Sequence, residues 1–219
     1  IGMGQDKLAY FEHAFVDELV EIVRWAFAPL QAERGGSVYL RLSTRTLLQP
    51  ARDIAPLRED LLAGAYWHVP PAPGSRLAIV YTGAIAPEAM AAHAALSEDV
   101  PGAGLLALPS PDRAHAGWLA AQRAPWLRDD AAATESHIER LLSQLAPGAT
   151  LVTVIDGSPA SLSWLGGVRG QRVIPVGVEQ FGQSGSIEDL YRVHRIDTDA
   201  VLDACASALL GQISSEDPS

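Results

Sequence analysis

The chain has 219 residues, a formal net charge of −10 and 48% apolar residues, which is enough for a substantial core. The negative charge argues against a general binder of nucleic acid or of anionic membranes, because such proteins need positive surfaces. The single cysteine, Cys205, excludes an internal disulfide and a cysteine-based zinc site. It lies on the apolar face of a predicted helix, so we interpret it as a buried structural thiol.

Neither a membrane-spanning apolar run nor a secretion signal is recognisable, so we predict a cytoplasmic protein without a membrane or nucleic-acid partner. The first predicted element is an amphipathic helix, with a face formed by Phe15, Val16, Leu19, Val20, Val23, Ala26, Phe27 and Leu30. Gly35-Gly36 would end it, and Ser37–Ser43 would form a strand. A helix and a strand are the second half of a βαβ unit. We therefore expect its first strand upstream of Ile1, in a longer polypeptide.

A proline-rich region follows. Thr44–Pro56 lacks periodicity, 56–63 can form a short helix, and Ala65–Val69 is a possible edge strand before Pro70. We therefore predict four parts: the end of a first domain over residues 1–47, a linker over 48–75, a main domain over 76–213 and a polar tail over 214–219.

Strands alternate with helices in the main domain. The predicted strands are Leu77–Thr82, Gly104–Leu108, Thr150–Ile155 and Arg172–Val176. The predicted helices are Ala86–Leu96, Ala114–Gln122, Thr134–Leu145, Pro159–Leu165 and Asp199–Leu210. This order predicts the α/β class, as a three-layer α/β/α domain with a mostly parallel sheet.

A glycine-rich polar turn, Val176–Leu190, connects the last strand to the closing helices. Ser186 is predicted to cap the helix that follows. Glu188 and Asp189 fall in its first turn, where the helix dipole favours negative charge.

Few residues suggest catalysis. Ser158, after a strand, and Ser184, in the glycine-rich turn, come nearest to a hydrolase nucleophile, and His194 is a candidate base for Ser184. Neither serine completes Gly-x-Ser-x-Gly. Glu18 and Glu21 could act as acid or base if they were buried, but we interpret them as charges on a solvated helix face.

The histidines do not predict a metal site, because none of them shares metal-ligand spacing with a second histidine and a carboxylate. Their positions are His13, His68, His93, His115, His137 and His194. We interpret His93 and His137 as solvated helix positions.

Three segments occur in a suggestive order: Phe11–Phe27, Ser37–Thr44 and Phe181–Leu190, the last followed by Asp197 and a closing helix. Together they resemble the C-terminal portion of thiamine-diphosphate enzymes of the transketolase type. The closest resemblance is to the homodimeric decarboxylating component of the pyruvate dehydrogenase complex, and transketolase is the alternative. The resemblance implies that the first two segments are the last helix and strand of a pyrimidine-binding domain. The third would be a C-terminal domain signature.

The resemblance also implies an activity for the full-length protein. That protein would use thiamine diphosphate and Mg²⁺ to decarboxylate a 2-oxo acid such as pyruvate, and would pass the acyl unit to a lipoyl group of a dihydrolipoyl acyltransferase. The family's Gly-Asp-Gly motif with a following Asn is not found in this chain, because Asp156-Gly157 follows Ile155. We therefore expect no cofactor in this chain, and a structural and dimer-packing role for it.

Arg45 is the one candidate substrate-binding residue. Transketolases carry an Arg directly after a Leu-Ser pair, where it reaches the substrate's distal phosphate. Here Leu42-Ser43 is followed by Thr44 and then Arg45, one position later. A salt bridge within the linker is the alternative role for Arg45.

The glycine-rich turn with Phe181, Gly182 and Ser184 is interpreted as a structural or subunit-contact loop. Two further hypotheses stay open. One is a stand-alone α/β module that binds a ligand or partner at the carboxyl ends of its strands. The other is a serine hydrolase that uses Ser158 or Ser184.

Overall fold

The computed structural model describes residues 3–127, 135–180 and 182–216, the last five by backbone only. The chain forms two compact units. Unit 1 comprises the described parts of Ile1–Tyr66, Thr82–Ala84 and Ala107–Leu142, and unit 2 those of Trp67–Tyr81, Ile85–Leu106 and Ser143–Ser219. The domain limits proposed from the sequence stay a prediction. No helix among the described residues is long and apolar enough to cross a membrane.

Unit 1 opens with strand β1 (Leu8–Phe11), helix α1 (Val16–Gln31) and strand β2 (Ser37–Leu40). The two strands pair in parallel, with Leu8 opposite Ser37 and Phe11 opposite Leu40. The βαβ unit is therefore complete, and the prediction that its first strand lies upstream of Ile1 was wrong. A four-residue apolar run is too short to show a period of two, so β1 merged with the helical pattern after it.

The buried side of α1 differs from the predicted one. It runs through Glu18, Ile22 and Ala26, which are at most 7% exposed. Glu18 was expected on a solvated face, and that interpretation was wrong. Several apolar residues of the predicted core face are instead 42–58% exposed, namely Val16, Val20, Phe27 and Leu30.

The rest of unit 1 is mainly helical. Residues 41–54 carry no helix or strand, so β2 is shorter than predicted. A 3₁₀ turn (Ala55–Leu57) leads into α2 (Arg58–Ala63), close to the predicted short helix. Helices α4 (Pro111–Leu127) and α5 (His137–Leu142) complete the unit, and α4 packs against both β1 and α5.

A five-stranded, mostly parallel sheet confirms the predicted α/β class. Its strand order is β3-β5-β4-β6-β7, with β3 at an edge as expected. The strands are β3 (Tyr66–Val69), β4 (Leu77–Thr82), β5 (Gly104–Ala107), β6 (Thr150–Ile155) and β7 (Arg172–Val176). Every residue of β4 and β6 is buried, as continuous apolar runs predict for strands covered on both faces.

Helices flank this sheet. Those of unit 2 are α3 (Ala86–Asp99), α6 (Gly166–Arg169), α7 (Ile187–Val193) and α8 (Thr198–Glu216), with a 3₁₀ segment at Pro159–Leu165. Helix α8 packs on β6, β7 and α3, and it buries Cys205 completely. This confirms the predicted burial of Cys205, and burial raises the pKa of the thiol to about 12. Because α8 extends to Glu216, the tail predicted from residue 214 was wrong for 214–216; 217–219 lie outside the described residues.

The cap predicted for α7 is confirmed. Ser186 lies in extended backbone conformation before the helix, and its hydroxyl oxygen accepts a hydrogen bond from the Asp189 backbone N–H at 3.2 Å. Glu188 and Asp189 lie in the first turn. In the glycine-rich turn, Gly182 and Ser184 are exposed, and Phe181 lies outside the described residues.

Candidate functional site

A 3₁₀ turn (Gly83–Ile85) follows β4, the strand at which the order of strand addition reverses. In open α/β sheets, ligands bind outside the carboxyl ends of strands at such a position. Gly83 has φ +70°, and a Cβ on it would lie 2.6 Å from Glu12 Cγ. Both the backbone conformation and the close approach therefore require glycine. The Thr82 hydroxyl donates to the Glu12 carbonyl oxygen at 3.5 Å.

Glu12 is held beside this turn and is only 4% exposed. One carboxylate oxygen accepts from the Tyr10 hydroxyl and the other from Arg41 Nη1. Its backbone N–H donates to the Pro109 carbonyl at 2.7 Å, just beyond the end of β5. Because both oxygens have partners, Glu12 anchors an ion pair rather than offering a free base. Burial, followed by the Glu12 charge and hydrogen bond, raises the pKa of Tyr10 well above its usual value, so the phenol stays protonated.

Arg45 contacts the same turn. Its Nη1 donates to the Ala84 carbonyl at 2.9 Å, and its backbone N–H donates to the Ser43 hydroxyl at 3.1 Å. The nearby Arg41 side chain is 43% exposed. Arg41 is already paired with Glu12, and Arg45 brings a further guanidinium to the turn that ends β4, which favours an anionic ligand there. A contact between Arg45 and substrate stays a prediction.

His13 follows Glu12 directly and is half-buried. Its Nδ1 atom is buried and has no hydrogen-bond partner within the described ranges. Burial lowers the pKa of the His13 imidazole, so the neutral form is favoured. The sequence did not single out His13 among the six histidines, because no residue near it in the chain suggests a functional role.

A second cluster in unit 1 centres on Arg52, which the sequence placed in an aperiodic linker. Arg52 Nε donates to Asp17 at 2.8 Å, Nη2 donates to Glu18 at 3.2 Å, and Nη1 donates to the Tyr66 hydroxyl at 2.9 Å. The Tyr66 hydroxyl in turn donates to Glu18. Burial alone lowers the pKa of Arg52, but the hydrogen bond to Asp17 and the nearby Tyr66 and Glu18 raise it overall.

Glu18 also caps α1. Its second oxygen accepts from the backbone N–H groups of Ala14 at 2.9 Å and Phe15 at 3.0 Å, which have no partner within the helix. Glu18 therefore has a structural role, because both of its carboxylate oxygens bond groups of the protein. Glu21 pairs with Arg24 and Arg58, and its side chain is only 12% exposed, so it is less solvated than the interpretation as a solvated face charge expected.

The predicted hydrolase residues do not come together. Ser158 and Ser184 are exposed, and neither shares a hydrogen bond with a histidine in the described part of the chain. His194 lies at the carboxyl end of α7. Among the same described residues, no three His, Cys, Asp or Glu side chains are placed to hold a metal ion.

Two histidine interpretations were wrong. His93 is 8% exposed, and its Nε2 lies 2.9 Å from the Ala103 carbonyl oxygen. His137 is half-buried, with Nε2 at 2.7 Å from the Ala65 carbonyl oxygen. Both rings bond a backbone carbonyl from a distant segment, which helical periodicity cannot reveal.

No protein-family model matches the chain, and no curated protein matches it. Solved structures do. Transketolase from Leishmania mexicana is 20% identical with a TM-score of 0.62, over 92% of this chain and 25% of that one. Transketolase from Pichia stipitis in complex with sedoheptulose 7-phosphate is 17% identical with a TM-score of 0.64, over 96% and 26%.

A split gene transketolase, described as an inactive beta4 tetramer, is 18% identical with a TM-score of 0.61, over 95% of this chain and 60% of that one. The chain thus spans about a quarter of the first two transketolases and 60% of the third. Identities this low establish shared architecture only. The chain has the α/β fold of a transketolase C-terminal region.

Proposed function

We propose that this chain is the C-terminal part of a transketolase-type thiamine-diphosphate enzyme. The supporting observation is the shared fold over 92–96% of the chain, at TM-scores of 0.61–0.64. Thiamine diphosphate and Mg²⁺ would bind to another part of a longer polypeptide or to a separate chain. This chain would then supply subunit contacts and one substrate contact.

Arg45 is the proposed substrate contact. It touches the turn after β4, in the part of an open α/β sheet where ligands usually bind. A guanidinium suits a phosphate because its nitrogens can donate two parallel hydrogen bonds. A sugar phosphate such as sedoheptulose 7-phosphate, the ligand of the P. stipitis transketolase, is therefore the substrate class we propose first.

The second candidate is the decarboxylating component of a pyruvate dehydrogenase complex. The order of the segments Phe11–Phe27, Ser37–Thr44 and Phe181–Leu190 supports it. That enzyme would take a 2-oxo acid without a phosphate, and its partner would be a dihydrolipoyl acyltransferase. The shift of Arg45 by one position from the transketolase pattern is consistent with this reading.

Self-association is part of either proposal, and the beta4 tetramer of the split gene transketolase supports it. We propose a homodimer of the full-length protein in the cytoplasm. Analytical ultracentrifugation of the natural gene product tests it, and a monomer at all accessible concentrations would contradict it.

The activity test combines this chain, within its natural gene product, with the polypeptide of the same genome that carries Gly-Asp-Gly and the following Asn. The complex is assayed for transfer of a two-carbon unit from sedoheptulose 7-phosphate. It is also assayed for decarboxylation of pyruvate with acylation of a lipoyl domain. Activity in the first assay supports the transketolase reading, and activity in the second supports the alternative. A complex that binds thiamine diphosphate but is inactive in both would overturn the proposal.

The Arg45→Gln variant tests the substrate contact. Loss of a charge-assisted hydrogen bond should raise KM for sedoheptulose 7-phosphate about 10-fold or more. Arg24→Gln is the control, because Arg24 is exposed on α1 and its one carboxylate partner among the described residues is Glu21. An unchanged KM in Arg45→Gln would show that Arg45 does not contact the substrate.

A further inference from the structure

A cleft of about 430 Å³ opens in unit 1 where β1 and β2 begin, at the other end of these strands from Glu12 and Arg41. Three cations line it: Lys7, Arg34 and Arg113. No Asp or Glu is among its described lining residues. The chain has a net charge of −10, but three cations and no carboxylate among the described lining residues make this cleft locally positive.

Arg113 forms part of the wall. Its guanidinium lies over the Trp25 ring, 4.4 Å from the centroid, and its Nε donates to the Leu62 carbonyl. Within the described ranges, no carboxylate is close enough to pair with this guanidinium, and no acceptor bonds its two terminal nitrogens. The adjacent carboxylate of Asp112 accepts instead from the backbone N–H groups of Gly4 at 3.1 Å and Tyr10 at 3.2 Å.

This arrangement leaves a half-buried cation incompletely paired. Burial lowers the pKa of the Arg113 guanidinium, although the charge of Asp112 acts in the opposite direction. A buried charge is normally paired, because desolvation without a counterion is unfavourable. An external anion in the cleft would supply the missing partner.

Lys7 contributes a second, independent observation. It is the chain's only lysine, and its φ of +58° lies in the left-handed region that residues with a side chain seldom adopt. Its carbonyl accepts from the Ser37 backbone N–H at 2.7 Å. A Cβ on Gly36 would lie 2.1 Å from the same carbonyl oxygen, so this tight approach requires glycine. The backbone is therefore strained at the point where Lys7 borders the cleft.

We propose that this cleft binds the phosphate group of a small phosphorylated molecule, with Arg113 in its wall and Lys7 and Arg34 at its rim. The two terminal nitrogens of Arg113, which no acceptor among the described residues bonds, suit the bidentate geometry of phosphate recognition. The volume falls within the range of about 300–1,000 Å³ usual for small-molecule sites, and it leaves room beyond the phosphate for a sugar or base. The site is independent of the function proposed above, since it lies at the opposite end of β1 and β2 from the Arg45 region.

Calorimetric titration of the full chain at low salt tests the proposal. The probes are inorganic phosphate, ribose 5-phosphate, AMP and adenosine, which lacks the phosphate. We expect saturable binding of at least one of the three phosphate probes and no binding of adenosine. The tightest of the three identifies what accompanies the phosphate. Absence of binding up to about 10 mM, or equal binding of AMP and adenosine, would overturn the proposal.

Two variants localise the binding. The double variant Lys7→Asn, Arg34→Gln removes two exposed cations, and Asn tolerates the left-handed backbone at position 7. We expect it to weaken binding of the preferred phosphate probe about 10-fold or more. Arg113→Met should abolish detectable binding, with circular dichroism confirming that the variant is folded.

The matched control is Arg24→Gln, Arg192→Gln. It also removes two exposed arginines, whose side chains are 69% and 71% accessible, and neither lines the cleft. Its affinity should stay within about twofold of the natural protein, because exposed charges outside the cleft interact only weakly with a bound anion through water. Equal losses in the control and the cleft double variant would show a general charge effect and overturn the site.

Discussion

Two arginines of unit 1 are packed alike but paired differently. Arg52 lies 4.9 Å from the Phe15 ring centroid and Arg113 lies 4.4 Å from that of Trp25. Arg52 bonds the carboxylates of two acidic residues, and its pKa is raised. Arg113 bonds a carbonyl, and its pKa is lowered. Stacking on an aromatic ring therefore does not decide an arginine's role. The nearby carboxylates decide whether the arginine forms a buried ion pair or remains available to bind an external anion.

The largest effect should come from removing the carboxylate at the centre of the Arg52 cluster. Glu18→Ala leaves Arg52 with Asp17 as its only carboxylate among the described residues, and it takes the acceptor from the Tyr66 hydroxyl and from two backbone N–H groups. We expect the free energy of unfolding to fall by about 3–5 kcal/mol in urea denaturation.

Glu21→Ala is the control for that variant, since the arginines that pair with Glu21, Arg24 and Arg58, are 69% and 44% exposed and can be solvated when it is removed. Its loss should be below about 1 kcal/mol. If the two variants unfolded with similar free energies, the cluster would not differ from a surface ion pair.

Exchanging each arginine for methionine compares them directly. Arg52→Met leaves Glu18 buried without its cation, so we expect a loss of about 3 kcal/mol. Arg113→Met leaves no carboxylate unpaired and removes one hydrogen bond and a ring contact, so about 1–2 kcal/mol is expected. Urea denaturation of both variants checks the order. A larger loss of unfolding free energy in Arg113→Met than in Arg52→Met would contradict the difference in pairing proposed for the two arginines.

His13 extends the comparison to a group that can lose its proton, which an arginine in a protein does not. Burial lowers its pKa below the ordinary 6.5, so the unfolded chain takes up the proton at a higher pH than the folded chain. The stabilisation from neutral His13 is therefore complete above pH 6.5 and is lost as the pH falls below that value. Thermal unfolding measured at a series of pH values from above 6.5 to below it should show the melting temperature falling as the pH falls.

His13→Gln should flatten that pH dependence without removing it, because burial also lowers the pKa of His115. An unchanged slope in the variant would mean that His13 titrates alike in the folded and unfolded chain.

Salt should produce the smallest and most selective effect. Raising KCl should weaken binding of the preferred phosphate probe to the cleft several-fold, because two of its three cations are exposed. The unfolding free energy of the natural protein should change by less than about 1 kcal/mol, since the Arg52 cluster is largely buried. Binding that is insensitive to salt would argue that the cleft recognises something other than charge.

The sequence predicted best where one element carries its own signal. The continuous apolar runs of β4 and β6 and the Ser186 cap were confirmed because burial on both faces and capping leave local patterns. The sequence did not predict β1, whose four residues are too few to show the alternating pattern of a strand. It also predicted the wrong buried side for α1. The apolar pattern there favoured the side with Val16, Val20 and Phe27.

The candidate sites show the same division. Arg45 was identified from its place after a Leu-Ser pair, but its contact with the Ala84 carbonyl depends on residues 39 apart in the chain. Arg52, Arg113 and Lys7 carried no local signal. Arg52 lay in an aperiodic stretch, and the partners that distinguish it from Arg113 come from α1 and β3.

By itself, the amino-acid sequence determined the α/β class, most of the helices and strands, and the burial of Cys205, because periodicity and apolar runs act within one element. Only the tertiary structure decided which charges are paired. Glu18 is a buried acceptor because Arg52 and Tyr66 reach it. Among the described residues, Arg113 has no carboxylate partner, since Asp112 bonds backbone N–H groups instead. The physical reason is that the energy of a charge in a protein depends on its neighbours in space and on its burial, neither of which a local pattern contains.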